Sequence, residues 1–156
     1  MKNSIHPTLL DFAIMGLLQN QSLSGYRVRK IFEETALGNY SSSPGSIYPA
    51  LKRLQKFALV ENTIDSSTSK LQFKITSDGI NILRKWLIQP LTKKDVEKNM
   101  DEVFLRFGFM DVLATRKQKI KFLESLQDHL DIYISELQSF HKMEAKTMPL
   151  HGRLAF

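Results

Sequence analysis

The stretch "SSSPGSIYPALKRLQKFALV", residues 41–60, decides the fold. Its apolar residues recur every three or four positions, which is the spacing of one buried helix face. Ser43 followed by Pro44 is typical of an N-cap and of the first residue of a helix. The predicted buried face of this helix consists of Ile47, Ala50, Leu51, Leu54, Phe57 and Ala58.

The opposite face of the same helix has the chemistry of a nucleic-acid contact. Residues 35–60 contain no acidic side chain, so this stretch does not repel phosphate. Small residues at the helix start let backbone amides approach a phosphate, and the basic residues further along neutralise phosphates or reach a guanine edge. The candidate contacts are Ser43, Gly45, Ser46, Tyr48, Lys52, Arg53 and Lys56.

Pro49 interrupts this helix. If the helix begins at Pro44, residue 49 lacks the amide that should bond the carbonyl of Gly45, so a kink is expected. A proline that breaks the helix pattern on a basic surface is more often functional than accidental. Pro49 is therefore predicted to serve recognition. The alternative is an ordinary amphipathic helix whose basic face is only solvated.

The flanking segments place this helix in a larger unit. Thr8 is predicted to cap a first helix, and Ser24 a second helix that ends at Gly38 as a left-handed C-cap. "LVENTI" and "KLQFKIT" alternate as two strands joined by a polar, flexible link, and Thr76 then caps a fourth helix. Three helices and a hairpin within about 80 residues are the order of a winged helix-turn-helix, whose third helix enters the major groove.

Residues 91–156 are predicted to be helical throughout. Residues 91–113 have the pattern of one continuous helix, and Thr115 with Gln118 forms a capping box before a longer one. The apolar residues of that last helix follow a coiled-coil spacing, so the helix is expected to need a partner. It could pack on the preceding helix of the same chain, and we expect it also to pack on a second copy. The predicted dimerisation seam is Leu123, Leu126, Leu130, Tyr133, Leu137 and Phe140.

The chain is therefore predicted to be mainly α with a small β-hairpin. Residues 1–90 form the winged helix-turn-helix DNA-binding domain, and residues 91–156 form a helical dimerisation region. The 156 residues carry a net charge of +6, and 11 basic against 6 acidic residues fall in residues 1–90. A positive field concentrated there attracts polyanions, of which nucleic acid is the commonest soluble one.

Composition excludes several other classes of function. The absence of cysteine excludes disulfides and thiolate chemistry and fits a reducing cytoplasm. No apolar run approaches the roughly 18 residues of a membrane span. The histidines lack ligand spacing and no catalytic motif is present, so no metal, no cofactor and no enzyme activity are predicted. Trp86 is expected to fill the core or a domain junction, with a ligand pocket as the alternative.

Three motifs together resemble the PadR family of bacterial transcriptional regulators. They are "LSGYRVRKIFEE", "SSSPGSIYPALKRLQKFALVE" and "KITSDGINILRKWL", and the likeness covers residues 9–88. The sequence departs from the family pattern at Phe57 and Ala58, where an acidic residue and glycine are usual, and at Phe73, where tyrosine is common. The resemblance implies recognition contacts at Ser43, Gly45, Ser46, Tyr48, Lys52 and Arg53, supporting positions at Ser24, Gly25 and Tyr26, and wing contacts from Ser67 to Lys70.

The predicted function is that of a sequence-specific DNA-binding transcriptional regulator in the cytoplasm. The resemblance implies a homodimeric repressor, bound to an inverted-repeat operator in double-stranded DNA, that a small hydrophobic or phenolic effector releases. The alternative is a winged-helix adaptor that docks proteins and does not bind DNA. A protein partner would be expected to prefer an apolar or mixed-charge helix surface, which the stretch from residue 41 to 60 does not offer.

Overall fold

The computed structural model of the chain describes residues 6–40 and 44–144. These residues form helices and one antiparallel two-stranded hairpin, which confirms the predicted fold class. Short 3-10 turns at Ala36–Tyr40 and Pro44–Ser46 lie before the third helix. The elements are α1 Leu9–Leu18, α2 Gly25–Glu34, α3 Ile47–Lys56, β1 Val60–Ile64, β2 Leu71–Ile75, α4 Ser77–Leu87, α5 Lys93–Lys98, α6 Met100–Leu113 and α7 Arg116–Glu144.

The helix α1 forms the centre of the N-terminal half. It packs against α3, α4 and α6, so Ile14, Met15 and Leu18 are almost inaccessible to solvent. Thr8 begins it with the predicted cap, and Asp11 completes a capping box by accepting a bond from the Thr8 amide at 2.8 Å. Because α1 contacts helices on several sides, its position affects the orientation of each of them.

The end of α2 differs from the prediction. Gly38 does not have a positive φ and lies within the 3-10 turn, so it is not a left-handed C-cap. The helix ends earlier because Thr35 becomes extended and its hydroxyl donates to the carbonyl of Ile31 at 2.7 Å. A Cβ on Gly38 would lie 2.7 Å from the Phe32 carbonyl oxygen, so this glycine allows a close backbone approach.

The left-handed turn lies instead after α3, at Ala58, whose φ is 56°. The amides of Ala58 and Leu59 bond the carbonyls of Gln55 and Leu54, both at 2.9 Å, in a Schellman motif. Ala58 is exposed and lies outside α3, so its predicted place in the buried face is wrong. Alanine occupies a conformation that favours glycine, the residue usual here in the pattern that the sequence resembles.

Replacing Ala58 with glycine is expected to stabilise the protein. The left-handed conformation costs an L-residue about 1–2 kcal/mol, and the greater freedom of glycine in the unfolded chain removes about 0.4–1 kcal/mol of that gain. The midpoint of urea unfolding should therefore rise by the equivalent of up to about 1.6 kcal/mol. An unchanged or lower midpoint would mean that the turn does not strain Ala58.

Residues 91–113 form two helices, so the prediction of one continuous helix is wrong. Asn99, with φ −130° and ψ 32°, separates α5 from α6. A capping box of Thr92 and Asp95 starts α5 separately from the helix before it. The break lets α5 pack on α7 while α6 packs on α4, which a straight helix would not allow.

The long helix α7 begins where predicted. The Thr115 amide donates to Gln118 Oε1 at 2.8 Å, and the Gln118 amide returns a bond to Thr115 Oγ1 at 3.3 Å. Two polar contacts attach α7 to the α5 segment, residues 91–98. Lys93 Nζ lies 2.6 Å from Glu136 Oε1, and His129 Nε2 lies 3.2 Å from the carbonyl oxygen of Leu91. One side of α7 therefore packs on its own chain.

Trp86 fills the junction between the two halves of the chain. Its ring stacks on Phe12 with centroids 4.2 Å apart, and its indole N–H donates to Glu102 Oε1 at 3.0 Å. The indole is buried by packing and its donor is satisfied, and a ligand contact by Trp86 stays a prediction. The core or junction interpretation of this residue is confirmed.

Arg106 is a buried cation at the same junction that the sequence pattern does not reveal. Its guanidinium donates to the carbonyls of Leu87 and Gln89 at the end of α4, and it lies 5.2 Å from the ring centroid of Phe122 on α7. Burial lowers the pKa of this guanidinium. A cation at the C-terminal carbonyls of α4 also complements the helix dipole.

Candidate DNA-binding interface

The exposed face of α3 carries the side chains that the sequence singles out. Tyr48, Pro49, Lys52 and Lys56 are exposed, whereas the other side of the helix is buried in the core. The buried residues are Ile47, Ala50, Leu51 and Leu54. The helix therefore presents a tyrosine and two lysines to solvent from a rigid support.

Pro49 does not break this helix. The α-helix begins at Ile47 after the 3-10 turn Pro44–Ser46, so Pro49 is its third residue. An amide at that position has no acceptor within the helix, and proline is tolerated in the first turn for this reason. The predicted kink is wrong, and the case for Pro49 in recognition loses its basis.

The start of the helix also differs from the prediction. Ser46, three residues after Ser43, occupies the N-cap position of the α-helix, and Gly45 is exposed within the preceding turn. Pro44 begins the 3-10 turn and not the α-helix. Ser43 itself lies outside the described residues.

Gly25 determines how closely α2 approaches α3. A Cβ at this position would lie 2.7 Å from Tyr48 Cε1 and 3.3 Å from the Phe73 ring. Ser24 caps α2 through a bond from the amide of Arg27, and Tyr26 is exposed beside it. Gly25 therefore lets the Tyr48 ring pack against the start of α2, and its burial agrees with a supporting position.

The wing, residues 60–75, is attached to the segment before α2 and to α3. Leu23 forms a one-residue strand along β2, where its amide and that of Phe73 each bond the other's carbonyl, at 3.0 and 2.8 Å. On the other strand, Asn62 Oδ1 accepts a bond from Gln55 Nε2 of α3 at 2.6 Å. These bonds fix the direction of the wing relative to α3, and neither was apparent from the sequence.

The tip of the wing, predicted to be a flexible link, contains a set of hydrogen bonds to one carboxylate. Asp65 Oδ1 accepts bonds from the Ser67 amide and hydroxyl at 2.8 and 2.6 Å and from the Thr68 amide at 3.1 Å. These bonds, with Ser67 first, hold the pKa of Asp65 below its usual value. The Ser67 hydroxyl donates within the wing, whereas the side chain of Lys70 is exposed.

Arg53, a predicted contact, is bonded to α1. Its Nη2 lies 2.6 Å from Asp11 Oδ1, and its Nε donates to Asp11 Oδ2 at 3.1 Å. The Asp11 side chain is 2% exposed and that of Arg53 is 40% exposed. The Nε and Nη2 sides of this guanidinium are thus directed towards α1.

Other kinds of site receive no support from the described part of the chain. Residues 6–40 and 44–144 contain no cluster of histidine and acidic side chains suited to a metal ion. Within the same residues, no helix has both the length and the hydropathy needed to cross a bilayer.

Comparison with known proteins identifies relatives of the chain. The model of the transcriptional regulator PadR-like family matches residues 14–85. The negative transcriptional regulator PadR of Bacillus subtilis (strain 168) is 32% identical over 148 residues, covering 91% of this chain and 79% of the relative. The transcriptional regulator YqjI of Escherichia coli (strain K12) is 27% identical over 148 residues, covering 94% and 67%.

A solved structure agrees with the fold. The crystal structure of the PadR-like transcriptional regulator BC1756 from Bacillus cereus matches with a TM-score of 0.50 at 19% identity, covering 94% of this chain and 99% of that one. At this identity the likeness supports the fold alone. It agrees with the helices and hairpin described above.

Proposed function

The chain belongs to the PadR-like family of transcriptional regulators, and from this premise we propose that it represses transcription by binding operator DNA as a homodimer. Membership of a family of regulators confirms the prediction that the chain is not an enzyme. Repression is proposed because the Bacillus subtilis relative is a negative regulator. We place this activity in the cytoplasm and assign DNA binding to residues 1–90 and dimerisation to residues 91–156.

One observation carries the DNA-binding proposal: α3, packed on the core, and the wing, bonded to it, both expose basic side chains. Lys52 and Lys56 lie on the solvent face of α3, and Lys70 lies at the wing tip. The bonds through Gln55 and Leu23 hold the two elements in a fixed relation. This arrangement suits a recognition helix in the major groove and a wing on the neighbouring backbone.

The dimer proposal rests on the unfilled side of α7. The side that carries His129 and Glu136 contacts the α5 segment, but the adjoining apolar side remains open to solvent. Within the predicted seam, Leu126, Leu130, Tyr133 and Leu137 are half-buried, whereas Leu123 and Phe140 are exposed. Ile120 and Ile134 extend the exposed side. A second copy of α7 would therefore cover an apolar strip that is exposed to solvent in the single chain.

We assign the effector to a cavity of about 270 Å³ between the α4–α5 link and α7. Its walls include Ile88, Pro90, Leu91 and Phe122, which suit a small hydrophobic or phenolic compound. Binding there would contact both halves of the chain. A phenolic acid should raise the unfolding temperature of the wild-type protein and release it from DNA. If a set of phenolic acids did neither, phenolic compounds would be excluded as effectors.

Replacing Lys52 with alanine tests the DNA-binding proposal. Loss of one phosphate or guanine contact should weaken binding to a duplex selected on the wild-type protein by about 1–3 kcal/mol. If the contact is to phosphate, the slope of log affinity against log salt should also fall by about 0.9. Stability should stay within about 0.5 kcal/mol because the side chain is exposed.

Lys94 provides the matched control, because it is an exposed lysine on α5, away from α3 and the wing. Lys94→Ala should leave both affinity and salt slope unchanged. If wild-type protein selected no sequence from a random duplex pool, the alternative of a protein-docking adaptor would be favoured. If Lys52→Ala and Lys94→Ala weakened DNA binding equally, the total charge of the protein, and not the α3 surface, would determine binding.

A further inference from the structure

Asp11 is a buried carboxylate near the start of α1 whose counter-charge comes from α3. Arg53 bonds both of its oxygens, through Nη2 to Oδ1 at 2.6 Å and through Nε to Oδ2 at 3.1 Å. The amide and hydroxyl of Thr8 also donate to Oδ2, at 2.8 and 2.9 Å. A buried carboxylate without its partner is strongly unfavourable, so this pairing holds the Arg53 side chain in one geometry.

The position of Arg53 on α3 means that its bond to Asp11 affects how this helix is oriented. Arg53 lies between exposed Lys52 and buried Leu54, at the edge where the basic face meets the core. A bidentate arginine–carboxylate pair fixes direction as well as distance, because both groups are planar forks. The pair therefore restrains the rotation of α3 about its own axis relative to α1.

We propose that Arg53 is a positioning residue that orients the recognition surface through Asp11 and does not itself contact DNA. By fixing the rotation of α3, the Asp11–Arg53 pair determines where Tyr48 and Lys52 meet the groove. The inference rests on the proposed DNA-binding function. It contradicts the assignment of Arg53 as a phosphate or guanine contact, which its 40% exposure would otherwise permit.

Replacing Asp11 with asparagine separates the two roles because they predict changes of opposite sign. If Arg53 contacts DNA, loss of the carboxylate frees the guanidinium and removes a negative charge, so DNA binding should tighten. If Arg53 positions α3, the same change releases the helix, so operator binding should weaken. Arg53→Lys adds a second test, because lysine keeps the charge but cannot form both bonds.

The experiment measures the affinity of wild type, Asp11→Asn, Arg53→Lys, Arg53→Ala and Lys52→Ala as a function of salt. The probes are a duplex selected on the wild-type protein and a scrambled duplex of equal length. We expect Asp11→Asn and Arg53→Lys to weaken binding to the selected duplex about tenfold, comparable to one lost base contact. The salt slope should stay unchanged, and binding to the scrambled duplex should change little. A variant that combines Asp11→Asn with Arg53→Lys should lose no more affinity than either single variant, because both break the same pair.

Two results would overturn the proposal: tighter or unchanged binding by Asp11→Asn, or a slope lowered by about one unit in Arg53→Ala. Circular dichroism at the assay temperature shows which variants are folded. If Asp11→Asn is unfolded there, the salt slope of Arg53→Ala decides, because a positioning residue leaves the slope unchanged and a phosphate contact lowers it by about one unit. If the wild-type protein did not prefer the selected duplex, the proposed function would be contradicted. If the wild type bound that duplex normally but the Arg53 variants behaved as expected for a DNA contact, only this inference would be contradicted.

Discussion

Leu123→Asp is expected to convert the protein to a monomer and to abolish operator binding at concentrations where wild type is bound. Leu123 is 45% exposed in the single chain, so a charge there should hardly affect a monomer. In a dimer that covers this side of α7, the same carboxylate would be desolvated at a cost of several kcal/mol. Sedimentation velocity and a binding assay at the same protein concentration measure both effects.

Ile132→Asp is the matched control for that experiment. Ile132 lies nine residues further along α7, which places it on the opposite side of the helix, and it is 50% exposed. It should leave the association state and DNA affinity unchanged. A Leu123→Asp protein that stays dimeric would show that α7 does not form the dimer interface.

Gly79→Ala is expected to cause the largest loss of stability among single-methyl additions in the winged-helix half. A Cβ on Gly79 would lie 2.2 Å from the Leu59 carbonyl oxygen and 2.7 Å from Ile75 Cγ1. That carbonyl accepts the Thr76 amide at 3.0 Å and belongs to the backbone, so it cannot rotate away. Displacing the start of α4 should cost about 1–3 kcal/mol or more, measured by urea unfolding.

Gly108→Ala is the control, since a Cβ there would meet no atom within 4 Å. Gly108 lies inside α6, where alanine is favoured over glycine by up to about 1 kcal/mol, so this variant should be as stable as wild type or more so. Equal losses in the two variants would show that the close contact at Gly79 is not what makes glycine necessary. The contact explains the glycine that follows "KITSD" in the sequence.

Local patterns were sufficient to predict much of the fold. The caps at Thr8, Ser24 and Thr76 and the capping box at Thr115 are each set by residues three apart, and the structure confirms them. The buried side of α3 followed from its helical period, except at Ala58. Features determined within one turn or one strand are accessible to this kind of reasoning.

Contacts distant in sequence were not accessible in the same way. No local pattern indicates that Arg53 bonds Asp11, 42 residues away, so the sequence alone predicts only a cation on the basic side of the helix. Pro49 was placed in the helix interior because a 3-10 turn and an α-helical start have similar sequences. The bonds of Asp65 depend on the turn that they stabilise, so the sequence "DSSTS" alone does not indicate them.

The most direct test of DNA binding by a dimer is a hydroxyl-radical footprint of the wild-type protein on its selected duplex. We expect two protected half-sites related by two-fold symmetry, centred about one helical turn of 10–10.5 base pairs, or a multiple of it, apart. Leu123→Asp should lose both protections together. Protection of a single site, or no protection at concentrations where the wild-type protein is dimeric, would contradict the proposal that this chain binds an operator as a homodimer.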